Sequence, residues 1–181
     1  MILLNKGKLK AVLTHAATDD IRYYLNGVLF EVDENQVVWL IATDGHRLFA
    51  GKIGANQCEQ KGPFSIIIPA DVVKRACAGK TPCLPLMASP DGRYTLGDIS
   101  FTPVEGKFPD WRRVCPAADA PLTSGKPHQF NWDYVANAQK ALRLCDGSEK
   151  AGYALRHLDT DQGFMCSRDE TARVVIMRMR E

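Results

Sequence analysis

An α+β fold built from three consecutive βαβββ units, with helices on one face of antiparallel sheets, is what the sequence predicts. Apolar residues switch between a spacing near 3.6 and a spacing of 2, and this switch recurs about every fifty to sixty residues. Hairpin-forming residues punctuate each recurrence. With 181 residues, 45% of them hydrophobic, the chain can bury a full core without staples.

In the first unit, Ile2-Leu3-Leu4 reads as a short strand. Leu9, Val12, Leu13 and Ala16 then fall at i, i+3, i+4 and i+7, one face of an amphipathic helix. Strands are predicted over Tyr24–Val32, Val37–Thr43 and Arg47–Ile53. They are joined by Asp33-Glu34-Asn35-Gln36 and by Asp44-Gly45, residues that tolerate positive φ.

The second unit starts at Phe64-Ser65-Ile66-Ile67-Ile68. Pro69 begins a helix whose stripe is Val72, Val73, Ala76 and Cys77, closed by Gly79. Turns at Ser89-Pro90-Asp91-Gly92 and Gly97-Asp98 divide three further strands. The third unit starts at Gln129-Phe130, with Asn131 as N-cap of a helix that turns Tyr134, Val135, Ala138 and Leu142 inward and ends before Gly147. Its strands are predicted over Tyr153–Leu158, Gly163–Ser167 and Ala172–Met179.

Two such units side by side make an α+β domain, and three make one and a half. The expected division is 1–115 as a domain of two units, 116–127 as a linker rich in Pro, Ala and small polar residues, and 128–181 as half a domain.

Cys58, Cys77, Cys83, Cys115, Cys145 and Cys166 form no C-x-x-C pair and no His lies at zinc-ligand spacing, so no metal site and no cofactor is expected. Scattered thiols fit a reduced, cytoplasmic setting. The start of the chain turns polar too soon for a secretory segment, and no apolar run reaches membrane-span length. A net charge of +2 is too small to announce nucleic-acid binding, so any DNA-facing surface depends on local placement.

Four segments go beyond the repeat: Arg22-Tyr23-Tyr24-Leu25-Asn26-Gly27-Val28-Leu29-Phe30, Ala42-Thr43-Asp44-Gly45-His46-Arg47-Leu48, Phe108-Pro109-Asp110-Trp111-Arg112-Arg113-Val114 and Val175-Ile176-Met177-Arg178-Met179-Arg180. In this order and spacing they resemble the bacterial replicative sliding clamp, the beta subunit of DNA polymerase III. Residues up to about Pro116 resemble its middle domain, and Phe130 onward resembles the second half of its last domain. The resemblance implies a DNA clamp fold without an active site.

It also implies a pocket for a client peptide of DNA polymerases and other clamp-binding proteins. Matching positions are Leu25, Thr43, Gly45, His46, Arg47, Leu48, Pro109, Arg113, Val114, Tyr134, Val175, Met177, Met179 and Arg180. Leu, Val and Met supply an adaptable apolar floor, and Arg47 and Arg113 suit polar or acidic flanks. Arg178 stands where the family usually has Pro, and Glu181 where an apolar residue is usual, which adds charge at the rim.

A second implied function is encirclement of duplex DNA by helices that touch phosphates without reading sequence. Projected at about 100° per residue, Arg75 lies opposite the stripe of the second helix and Lys140 on the polar side of the third, with Lys8, Lys10, Lys74 and Arg143 flanking. The plain alternatives are that Leu25, Val114 and Val175 are core, that Asp44-Gly45 is only a turn, and that the basic residues are a solvated face.

An enzymatic reading would group Asp44, His46 and Arg47 with His15, His128 or His157 as an acid–base hydrolytic site. No nucleophile elbow, glycine-rich phosphate loop or pair of carboxylates at a strand end accompanies them, so a binding function is expected instead. A further alternative is a non-ring adaptor or competitor that keeps the client pocket and is not loaded on DNA. Homo-oligomers are expected in either case, because an unpaired half-domain exposes a sheet edge and an apolar face. Four copies of a three-unit chain would supply the twelve units of a family-type ring.

Overall fold

A computed structural model describes residues 1–55, 62–116, 120, 129–158 and 162–179. The first unit comprises β1 (Ile2–Asn5), α1 (Lys6–Leu13), a 3-10 turn at Tyr23–Leu25, β2 (Gly27–Val32), β3 (Val37–Thr43) and β4 (Arg47–Ala55). The second has β5 (Phe64–Pro69), α2 (Ala70–Ala76), β6 (Cys83–Ala88), β7 (Tyr94–Leu96), β8 (Ile99–Phe101) and a 3-10 turn at Trp111–Arg113. The third has α3 (Trp132–Asp146), β9 (Arg156–His157), β10 (Gln162–Cys166) and β11 (Ala172–Met177).

Helix ends follow side-chain chemistry. Asn5 Oδ1 accepts from the Lys8 N–H at 3.1 Å, and Asn131 Oδ1 from the Asp133 N–H at 2.9 Å. At the other end of α3, Gly147 takes φ +61 in the left-handed region and stops the helix.

The strands do not stay within their units. β1 pairs with β6, from Ile2 opposite Leu86 to Asn5 opposite Cys83. β5 in return pairs with β2, from Gly27 opposite Pro69 to Val32 opposite Phe64. One sheet therefore runs β1-β6-β7-β8 and the other β5-β2-β3-β4-β11-β10-β9. The third unit extends the second sheet through β4 and β11, with Leu48 opposite Val175 and Arg47 opposite Ile176.

Alternation along the strands gives the larger sheet two apolar faces. Val28, Phe30, Leu40, Phe49, Val174 and Ile176 face the helices and join Leu9, Val12, Val135, Ala138 and Leu142 in one buried cluster. Burying such a side chain contributes about 1.5–3 kcal/mol. Gly7 allows α1 and α3 to pack closely, since a Cβ there would lie 2.6 Å from the Leu144 carbonyl oxygen. Leu25, Leu29, Ile41, Leu48, Ile67 and Val175 form a second cluster with Phe108 and Trp111, whose segment covers the opposite face. Trp111 Nε1 donates to Glu31 Oε2 at 3.1 Å and ties that segment to β2.

Several expected boundaries are corrected. The strand expected from Tyr24 begins at Gly27, because Leu25 N–H bonds the Arg22 carbonyl at 2.7 Å and turns the chain first. α1 stops at Leu13, short of Ala16; the Thr14 hydroxyl bonds the Ala11 carbonyl at 2.7 Å. α2 starts at Ala70 with Pro69 as its N-cap and is capped at Cys77, ahead of Gly79. Gln129-Phe130 enters no ladder among the described residues, and the strand expected over Tyr153–Leu158 is reduced to Arg156–His157. β11 ends at Met177, beyond which the Met179 N–H bonds the Gln129 carbonyl. Most of the expected linker 116–127, together with Cys58, His128, Arg180 and Glu181, lies outside the described residues.

Candidate functional site

The site lies where the second apolar face of the large sheet is incompletely covered, at the β4–β11 ladder. Its rim is the turn between β3 and β4. Gly45 takes φ +92 there, a conformation that side chains with a Cβ rarely adopt. Asp44 Oδ1 accepts from the His46 and Arg47 N–H groups at 2.9 and 3.1 Å, and Asp44 Oδ2 pairs with Arg47 Nε at 2.9 Å. The Thr43 hydroxyl donates to the Arg47 carbonyl at 2.8 Å and accepts from the Gly45 N–H at 3.0 Å.

Two cavities flank this turn. One, of about 270 Å³, is lined by Arg22, Leu25, Thr43, Gly45, Arg47, Leu48, Pro109, Asp110, Trp111, Val114, Val175 and Met177. The other, of about 740 Å³, is lined by Gly45, His46, Asn131, Tyr134, Met177, Arg178 and Met179. Gly45 and Met177 belong to both, so the two form one crevice.

The crevice is held from both sides of the ladder. The Met177 N–H donates to the His46 carbonyl at 2.9 Å. The His46 ring stacks on Tyr134 with centroids 6.2 Å apart. Arg22, a half-exposed side chain, pairs with Asp20 at 2.7 Å and reaches the Asp44 carbonyl at 3.5 Å. That pairing holds the Asp20 carboxyl down at about 2. Behind the turn, burial and then the charge of Arg47 push the His15 imidazole down to about 3, so this ring is neutral near pH 7.

Of the expected pocket residues, Leu25, Thr43, Gly45, Arg47, Leu48, Pro109, Val114, Val175 and Met177 line the first cavity. His46, Tyr134 and Met179 line the second. Arg113 is exposed on the 3-10 turn beside Val114 and lines neither, and Arg180 is outside the described residues. Leu25 and Val175 are both core and cavity wall, being buried yet lining the crevice. Arg22, Asp110, Trp111 and Asn131 are additional lining residues. The first three sit inside the motifs that carry the resemblance, whereas Asn131 was legible only as a helix cap.

Of the basic residues expected to face DNA, Lys10, Lys74, Arg75 and Lys140 are exposed. Arg75 pairs with Asp71 at 3.1 Å. Lys8 is half-buried and donates to the Lys52 carbonyl at 2.6 Å, and Arg143 donates to the Ala151 carbonyl at 2.7 Å, so both are engaged within the fold.

Comparison with known proteins agrees with this architecture. A family model described as the DNA polymerase III beta subunit, central domain, matches residues 5–110. The beta sliding clamp of Escherichia coli (strain K12) is 36% identical over 117 residues, which cover 61% of this chain and 31% of that protein. The beta sliding clamp of Pseudomonas putida (strain KT2440) is 33% identical over 139 residues, covering 67% and 35%. The chain thus spans about a third of the length of these curated relatives. Among solved structures, a DNA polymerase sliding clamp from Pseudomonas aeruginosa with ligand superposes with a TM-score of 0.74 at 20% identity, covering 99% of this chain and 66% of that one. One from Caulobacter crescentus gives 0.73 at 18%, covering 99% and 65%. Matched over more than half its length by that family model, the chain belongs to the family of the DNA polymerase III beta subunit, through its central domain.

Proposed function

We propose that the chain is a non-catalytic, clamp-like accessory protein of DNA replication and repair, acting in the cytoplasm, whose crevice receives short linear peptides of polymerases and other clients. The observation that carries this reading is the convergence of Leu25, Leu48, Val114, Val175 and Met177, from distant parts of the chain, on one cavity. An apolar floor with a few polar groups at its rim suits a peptide anchored by Leu or Phe. Met177 and Met179 adapt to the anchor's shape, and Arg22, Arg47 and Arg113 complement an acidic flank. Residues 1–115 and 128–181 act as the two walls, joined by 116–127.

Fluorescence anisotropy with a labelled Leu- and Phe-containing peptide tests the reading. Wild-type chain is expected to bind, with Met179→Ala and Arg113→Ala each weakening the complex several-fold. No binding by the wild type, or binding unchanged from wild type in both variants, would remove the crevice from consideration.

Contact with duplex DNA is the second part of the reading, supported by the exposed Lys10, Lys74, Arg75 and Lys140 on three neighbouring helices. Binding of this kind is electrostatic and indifferent to sequence. A chain that binds the peptide but not duplex DNA would be the non-ring adaptor instead.

A further inference from the structure

We infer that the third unit docks onto the third unit of a second copy, in the way the first two units dock on each other within one chain. Those two units show the rule. The first residue of each helix donates its N–H across the pair, Lys6 to the Pro82 carbonyl at 2.8 Å and Ala70 to the Asn26 carbonyl at 3.1 Å. The preceding N-cap residue lies opposite the next residue of the partner unit, Asn5 opposite Cys83 and Pro69 opposite Gly27.

In the third unit Asn131 caps the helix as Asn5 does, which makes Trp132 the counterpart of Lys6. Lys6 is 8% exposed against the second unit, and Trp132 is 75% exposed. The Trp132 N–H has no partner among the described residues. An exposed Trp at the very position where its counterpart meets a neighbouring unit marks an interface rather than ordinary surface.

The approach segment is already set in place. In the second unit the Ile67 carbonyl accepts from Val104 at 2.9 Å, just past that unit's last strand. In the third, the Gln129 carbonyl accepts from Met179 at 2.8 Å, just past β11. Phe130 thereby corresponds to Ile68, which pairs with Val28 of the other unit. Phe130 itself has no ladder partner among the described residues.

Among the described residues the receiving edge is open as well. β2 and β6 each run six residues and carry a strand from the partner unit on their outer edge, whereas β9 runs two and is the last strand of its sheet. Val32, Ala88 and His157 are equivalent, each the last ladder residue before its hairpin loop. Counting back equally from each aligns Gly27, Cys83 and Gly152.

The register of the dimer follows: Asn131 lies opposite Gly152 of the partner subunit, and Gln129 opposite Ala154 of the partner subunit. The contact is reciprocal, a two-fold arrangement that extends β9 and leaves neither edge uncovered. The contact shares Asn131 with the wall of the peptide crevice, and its test reads association of the chain rather than peptide binding.

Sedimentation equilibrium of the full chain at micromolar concentration is expected to give about twice the 20.1 kDa chain mass. Trp132→Glu, at an exposed position, is expected to weaken the dimer at least tenfold. In a second arm, Gln129→Cys and Ala154→Cys chains are mixed and oxidised with glutathione disulfide. A disulfide-linked heterodimer is expected, at a yield well above wild type or either variant alone. A strict monomer, or a dimer that neither responds to Trp132→Glu nor gives the cross-link, would overturn the inference.

Discussion

The guanidinium carbon of Arg47 sits 4.8 Å from the centre of the Tyr134 ring, joining the turn of the first unit to the helix of the third. Asp44 holds the same arginine from the other side, so its position at the crevice is set by two units at once. Tyr134→Ala removes the cation–π interaction, worth about 0.5–1 kcal/mol, together with the ring's packing against the core, so the loss of stability should exceed that figure. Peptide binding should weaken with it. Tyr134→Phe, which keeps a ring face, should retain most of both, as read by urea unfolding and anisotropy.

Gly45→Ala isolates the turn. An added Cβ would lie 3.2 Å from the end of the flexible Arg22 side chain, which can move, so backbone strain at φ +92 dominates. A loss of about 1–3 kcal/mol is expected in denaturant unfolding. A variant as stable as wild type would show that the turn relaxes into another conformation.

His15 gives the fold a pH dependence. Its folded-state value of about 3 lies below the 6.5 of an ordinary histidine, so the native state resists a proton that the unfolded chain accepts. Its contribution is fully present above pH 6.5 and declines as pH falls toward 3. Between about pH 6 and pH 4.5 the slope approaches 1.4 kcal/mol per pH unit. His15→Phe should flatten this decline in a series of urea melts across that window; an unchanged slope in the variant would assign it to other groups.

The helical face carries a salt-dependent prediction. Affinity for duplex DNA should fall with added salt and ignore base sequence. Replacing Lys10, Lys74 and Lys140 together by Ala should lower the log–log salt slope by about 0.9 for each phosphate no longer neutralised. A slope that stays constant while affinity falls would mean the lysines act indirectly.

Much of the crevice was legible beforehand because its residues fall in four short motifs, and short motifs survive as text. Asn131 was not, since its signature in the sequence is that of a helix cap, and nothing local says that α3 leans toward the β3–β4 turn. Lys8 looked like a free surface lysine by helical projection. The projection has no knowledge of Lys52 and Thr171, whose carbonyl and hydroxyl oxygens take its ammonium group at 2.6 and 3.4 Å.

The order of helices and strands was written in the sequence by itself, because spacing, capping and turn chemistry act between neighbours in the chain. Asn5, Gly45 and Gly147 do their work within a few residues. Which strands pair across units was decided by the tertiary structure alone. Backbone hydrogen bonds look the same from any strand, so only packing of the faces sends β1 to β6, β5 to β2 and β11 to β4. That last choice brings Leu48 against Val175 and opens the crevice beside them.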